Sequence, residues 1–256
     1  MNLKLLFPYL FILFSFLNAY SQEETKNEKI GDAIPSVSVY YAYELAAGDL
    51  STRFGFNHKV GAEFSFKFEN NWIVSIDGGY MFGEDLKKEA YSILDNLKTE
   101  DGQITSKYGT PGNIMMSERG YSIMLKGGKI LPFLQANYNS GPFVMGGIGF
   151  LQHKIRIDNE GNDTPQVSEE YRPGYDHLTY GFALNEFIGY RLYAKNKMSN
   201  FYLGIEWTQG FTKNRRGYNY NTMSPENESR LDMLYSVKFG VVIPFSRRAP
   251  KDYYTY

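Results

Sequence analysis

The chain has no cysteine, only three histidines and only two tryptophans among its 256 residues. Without cysteine it carries no disulfide framework and no thiol for a lipoprotein anchor. An excess of one charge is also missing. Lys and Arg number 27 against 28 Asp and Glu, a formal net charge of −1, which leaves no basic footprint for nucleic acid. Long apolar runs are scarce. The run Leu5 to Leu17 contains Pro8 and is too short for a transmembrane helix. With Lys4 before it and Ala19 and Ser21 after it, it has the three-part form of a secretory leader over residues 1–21. A segment 22–34 then precedes the first patterned stretch.

What the chain has in quantity is aromatic side chains, 22 Tyr and 19 Phe, beside 25 Gly, at a mean hydropathy of −0.41. That average suits a secreted β-sandwich. It also suits a transmembrane β-barrel, in which only alternate residues touch lipid. Strand patterning separates the two. From Leu231 to Phe245 every odd position is apolar or aromatic, while the even positions include Asp232, Ser236, Lys238 and Gly240. This period of two runs well past the five or six residues of an ordinary strand, and it covers the roughly 9–11 residues that a tilted strand needs to cross hydrocarbon.

The same alternation recurs in SVSVYYAYEL (36–45), HKVGAEFSFKF (58–68), WIVSIDGGYMF (72–82) and FYLGIEWTQGF (201–211). Three further strands are less regular. Tyr121 to Tyr138 breaks phase near Pro132, where a bulge is expected; Phe143 to Ile157 is Gly-rich; and Tyr180 to Tyr193 sets Asn185 and Glu186 on opposite faces. The expected fold is an all-β, eight-stranded antiparallel transmembrane barrel over 35–246, or ten-stranded if part of the longest loop pairs. Short polar connections at 69–71, 139–142 and 196–200 alternate with long ones, as periplasmic turns alternate with extracellular loops.

An eight-stranded barrel is narrow enough for side chains to fill it. The inward positions carry Glu44, Glu63, Asp77, Glu206 and Asp232 against Lys59, Lys67, Lys126 and Lys238. The near balance predicts a paired network, because an uncompensated charge in a narrow interior is costly. It reads either as an ion path or as a structural plug, and the barrel size favours the plug.

Other chemistry is sparse. His58 falls at an extracellular strand end, His153 on the outward parity of its strand, and His177 beside Asp176 in a loop. Adjacent residues in an extended segment point apart, so Asp176-His177 reads as a polar loop pair rather than a catalytic couple. No His-x-Ser pattern of a lipid-facing hydrolase is present. DNEGNDT (158–164) clusters carboxylates around Gly161, but the glycine is out of place for a calcium loop and the stretch reads as a polar turn. Neither a metal nor a cofactor is expected. In the longest loop, 83–120, the apolar residues Ala90, Ile93, Leu94 and Leu97 follow helical spacing, and Met115 and Met116 are adjacent. Together they form either a docking surface for a protein partner or a lid on the barrel mouth.

With its leader, its strand pattern and the ending GVVIPFSRRAPKDYYTY, the chain resembles the small outer-membrane β-barrels of Bacteroidota, in the OmpA/OmpX-like class. The resemblance implies that Phe245 matches the terminal aromatic of the insertion signal. It departs in the residues that follow, which read as a periplasmic tail, 247–256. The group includes PorT- and PorG-like proteins of the type IX secretion and gliding system. That likeness implies a non-catalytic, structural or interaction role in an envelope assembly. The expected partners are outer-membrane lipid and lipopolysaccharide, with envelope proteins reached through the long loops or the tail; nucleic acid is not among them.

Overall fold

The computed structural model describes residues 31–194 and 200–245. The expected leader 1–21, most of the segment 22–34 and the tail 247–256 lie outside the described residues. Eight strands follow in chain order: β1 (Ile34–Gly48), β2 (Phe56–Lys67), β3 (Trp72–Gly83), β4 (Ile114–Ile130), β5 (Gly141–Asn159), β6 (Thr179–Leu192), β7 (Phe201–Asn214) and β8 (Ser229–Pro244). Each pairs antiparallel with its sequence neighbours, and β1 pairs β8, so the sheet closes on itself as an eight-stranded barrel. Closure leaves no strand edge unpaired, the condition for crossing a bilayer with strands. The short connections 68–71 and 131–140 lie at one end, where β6 also ends and β7 begins. The longer 84–113, 160–178 and 215–228 lie at the other, together with 49–55.

The lipid face follows from the pleat. Val39, Tyr41 and Tyr43 on β1, Ile76 and Tyr80 on β3, Ile123 and Leu125 on β4, and Val237, Phe239 and Val241 on β8 are all exposed. Between them lie Ser38, Lys59, Asp77, Lys126 and Lys238, all buried inside. This belt is rimmed by aromatics. On the loop side Tyr80 pairs with Tyr121, Tyr121 with Gln152, and Gln152 with Tyr180. On the turn side Phe66 packs on Phe68 at 4.9 Å, and the Lys129 ammonium lies 5.7 Å from the Trp72 ring. Aromatic girdles at both interfaces are what such a belt requires. Glu186 departs from the rule, since it faces outward and half-exposed on β6 between Gly146 and Trp207.

The structure corrects three expectations. First, β4 runs from Ile114 and stops at Ile130, so Pro132 to Tyr138 belong to the 131–140 connection and Pro132 makes no bulge. Second, Met115 and Met116 are in β4, opposite Asp158 and Ile157, and not in the loop. Third, His153 points inward and is 1% exposed. One cause underlies the last two. β4 and β5 extend beyond the aromatic rim, where the outside is water instead of lipid. There the pattern inverts: Met116, Ile155 and Ile157 turn in, while Arg119, Lys154 and Arg156 turn out. A strand with two outer solvents has no single polar face.

Candidate functional site

The lumen is filled in layers. Midway, three lysines from β2, β4 and β8 meet three carboxylates from β1, β3 and β7. Lys59 Nζ lies 2.7 Å from Glu44 Oε1 and 2.9 Å from Glu206 Oε1. Lys126 Nζ lies 2.7 Å from Glu206 Oε2 and 3.1 Å from Asp77 Oδ2. Lys238 Nζ reaches Asp77 Oδ2 at 2.5 Å and Glu206 Oε2 at 3.2 Å. Glu206 is therefore held by all three ammonium groups. Tyr40 donates its hydroxyl to Asp77 Oδ1 at 2.8 Å, and its ring lies 3.7 Å from Lys238 Nζ. All six charged groups are within 3% of full burial. Charges so deeply desolvated are tolerable only when paired and hydrogen-bonded, and here each is.

Toward the turn end, Glu63 pairs with Arg191 of β6 at 2.8 Å. The guanidinium sits 5.0 Å from the Phe143 ring and 5.1 Å from that of Tyr202. Below them Ile73, Ile130, Phe187 and Val242 form an apolar floor. Between Glu63, Lys126, Phe143, Tyr202 and Lys238 no space remains that a water molecule can occupy. Besides Glu63, two other residues expected in one lumen network lie outside the central cluster. Lys67 is at the turn-side mouth, bonded to the Asp32 carbonyl (3.1 Å) and Asn139 Oδ1 (3.0 Å), where it ties residues 31–33 to the 131–140 connection. Asp232 is toward the loop end, where it meets His153 Nε2 at 2.8 Å.

His153 and Asp232 do not form a catalytic couple with a hydroxyl. Thr212 donates to the same Asp232 oxygen and not to the imidazole, so among the described residues no hydroxyl is bonded to His153 for it to deprotonate. His58 is on the outer face, where its Nδ1 meets the Tyr41 hydroxyl at 2.6 Å among the girdle aromatics. The carboxylates of 158–164 do not converge: Asp158 pairs with Arg156, Glu160 with Asn113, and Asp163 with the Thr164 hydroxyl. Among the described residues no cluster is arranged to hold a metal.

Above the lumen the loops make a cap. Helix α1 (Lys88–Tyr91) runs into a 3-10 turn, Ser92–Leu97, and directs Ala90, Ile93 and Leu94 down into the barrel mouth. They pack there with Leu50, Phe54, Met81, Leu151 and Ile155, and Leu97 and Met116 lie at the edge. Ala90, Ile93 and Leu94 are at most 2% exposed, so this apolar stripe is a lid and has no surface left to meet a partner. Met115 alone of the expected docking residues is exposed, on the outside of β4.

One buried arginine latches the cap. Arg53 donates to Glu89 Oε1 and to Glu226 Oε1, each at 2.7 Å, and to Thr179 Oγ1 at 3.4 Å. Glu226 also meets His177 Nδ1 at 3.0 Å and Asn214 Nδ2 at 2.7 Å. Asp176 turns the other way, to Arg216. The adjacent pair does diverge, helped by the left-handed backbone of His177 at φ 46°. Burial alone would raise the Glu226 carboxyl, but the His177 hydrogen bond and the Arg53 guanidinium outweigh it and hold it far below its ordinary range.

Arg191 and Glu118 escaped the sequence reading. Arg191 is on a strand of irregular alternation, and Glu118 falls in the stretch 83–120 that reads as a loop. Glu118 is buried with a single neutral partner, Asn57 Nδ2 at 3.1 Å.

A closed eight-stranded barrel with an apolar belt, two aromatic girdles and asymmetric loops is built for the bacterial outer membrane, with the capped end outward. No family model and no curated protein matches the chain. Among solved structures it is similar to Ail, the attachment invasion locus protein of Yersinia pestis, at 12% identity and TM-score 0.43 over 82% of this chain and 99% of that one. It is also similar to the outer membrane protein OprG of Pseudomonas aeruginosa, at 11% identity and TM-score 0.34 over 83% and 96%. The N-terminal β-barrel domain of Pseudomonas aeruginosa OprF aligns at 9% identity and TM-score 0.33 over 82% and 100%.

Proposed function

We propose that this protein is a non-catalytic outer-membrane barrel that presents its loop cap as an interaction element of a cell-envelope assembly, in protein secretion or gliding. The observation that carries this reading is the sealed interior. Glu206 is gripped by Lys59, Lys126 and Lys238, with a packed lid above and an apolar floor below. A barrel filled in this way transports nothing through its lumen. What it offers is a rigid platform in the membrane.

The outer surface of the cap supports the interaction side. Tyr91, Tyr108 and Tyr218 are exposed there, on the two loops tied by the Arg53 latch, and Tyr171 is exposed on the loop 160–178. Exposed aromatics on a rigid support are favourable contact residues, because little side-chain entropy is lost on binding. Purification of the tagged protein from native membranes tests the reading, and a stoichiometric envelope protein is expected to co-purify. Recovery of the barrel alone would sink the assembly role. In planar bilayers the purified protein is expected to carry no current, and steady conductance would overturn the sealed-platform reading.

A further inference from the structure

Beyond the rim of Tyr80 and Tyr121, the outer wall of the barrel carries an arrangement that sheet energetics alone disfavours. Arg119 on β4 and Lys154 on β5 are direct cross-strand partners and both face outward. Like charges directly opposite each other in a sheet are destabilising. Arg156 lies one pleat further out, and Arg172 of the 160–178 loop closes the same cleft, which has a volume of about 410 Å³. Its two carboxylates, Asp158 and Asp176, offset only part of the charge of these four cations. Asp158 is taken by Arg156 at 2.9 Å, and Asp176 is bound to Arg216 at 2.5 Å and makes a longer ion pair with Lys154 at 4.0 Å. Among the described residues neither Arg119 nor Arg172 has a carboxylate within salt-bridge reach. The side-chain hydrogen bond each makes is to a backbone carbonyl, of Glu118 and Val167 respectively.

The cleft's height is as informative as its charge. It begins at the aromatic row that marks the edge of the hydrocarbon and extends away from the membrane on the loop side. Directly below, on the same strands, Ile123, Leu125 and Ile148 form a continuous apolar surface. A ligand matching both parts carries anionic groups at headgroup level and acyl chains beneath them. We infer that this cleft binds the phosphorylated sugar headgroup of an outer-leaflet glycolipid. A phosphate would bridge Arg119 and Lys154, Arg172 would close over it, and the acyl chains would lie along Ile123 and Leu125. Guanidinium groups suit this task because their planar fork of donors matches phosphate oxygens. The site goes beyond the platform role and holds whether or not the cap has a protein partner.

The test uses full-length protein in detergent, incubated with bisphosphorylated hexa-acyl lipid A, with bound lipid counted by native mass spectrometry. Parallel samples receive the same lipid stripped of both phosphates, or sodium phosphate as competitor. The phosphorylated lipid is expected to be retained about tenfold better than the stripped one, and to resist sodium phosphate at equal concentration. The Arg119→Gln/Lys154→Gln double variant should lose about tenfold in retention while still migrating as a folded barrel in unheated gels. Arg172→Gln, in a loop outside the barrel wall, gives the same reading if the strand variant does not fold. Lys129→Gln, at the opposite girdle, should retain lipid like the parent. Equal retention of stripped lipid, undiminished binding by the Arg119/Lys154 and Arg172 variants, or displacement by equimolar free phosphate would each overturn the assignment.

Discussion

Glu206 is the one carboxylate that all three lysines share, and each of those lysines also has a second carboxylate. Lys59 retains Glu44, and Lys126 and Lys238 retain Asp77. The cluster is therefore asymmetric in its tolerance. Glu206→Gln leaves three ammonium groups facing two carboxylates in a dry interior. It is expected to cost about 3–5 kcal/mol, the scale of breaking a buried ion pair from one side. Lys238→Met should cost less, since it replaces a long cation with an apolar chain of similar length and leaves every carboxylate with a lysine. Urea unfolding in lipid vesicles, followed by tryptophan fluorescence, measures both. Equal losses would show that the network is not centred on Glu206. On the outer face the sign of charge effects reverses. Leu125, 61% exposed to lipid and midway between Tyr121 and Lys129, is expected to cost about 2–4 kcal/mol on replacement by Arg. By the same reasoning Glu186→Leu should stabilise the barrel, because it removes a carboxylate from the lipid face.

At the scale of elements, legibility in the sequence follows the number of solvents each strand meets. β1, β2, β3 and β8 have lipid outside and a polar lumen inside over most of their length, so Lys238 or Glu63 stands out against apolar neighbours. β4 and β5 cross into water while still paired, and their inner face becomes the apolar bed of the cap. Both His153, whose parity reads as outward, and Met116, whose surroundings read as loop, sit on that stretch. Pairing partners were not legible at all. That Asp232 belongs with His153 and not with Lys238 depends on strand tilt and stagger, which alternation does not encode. The stripe Ala90, Ile93, Leu94 was legible as amphipathic, but its direction was not, since burial against a lid and against a partner demand the same pattern.

The cap also titrates as an element. Against the opposing effect of burial, the Glu226 carboxyl is held below its ordinary value of 4.5 by His177 and Arg53, and that of Glu89 by Thr52 and Arg53. A carboxyl depressed in the folded state stabilises fully above its unfolded value and loses that contribution as pH falls through the folded one. Amide protection in 215–228, corrected for intrinsic exchange, should hold from pH 7 to about pH 5 and decline below the unfolded value. Glu226→Gln should weaken protection at pH 7 and flatten the profile. Superimposable profiles for parent and variant would show that the latch does not hold the cap.

For the whole molecule, two of the three layers between the cell exterior and the periplasm, the lid at the mouth and the ion-paired plug midway, stand above the apolar floor and do not share residues. The lid's apolar cluster ends at Met124 and Leu151, whereas the plug is built on Lys59, Asp77, Lys126, Glu206 and Lys238. Neither is needed to close the hydrogen-bonded wall, which β1 and β8 complete along Ser36 to Gly48. Replacing residues 86–111 with a short Gly-Ser linker is therefore expected to leave a folded barrel that still carries no current, because the plug remains. Neutralising the lysines in the full-length chain should also leave it closed, under the lid. The combination, linker plus Lys59→Ala, Lys126→Ala and Lys238→Ala, leaves the floor of Ile73, Ile130, Phe187 and Val242. Ions should therefore pass only when Phe187→Ala and Val242→Ala are added, provided the barrel still folds in unheated gels. A linker variant that conducts by itself would show that the lid is the sole seal, and that the lumen charges serve a different end.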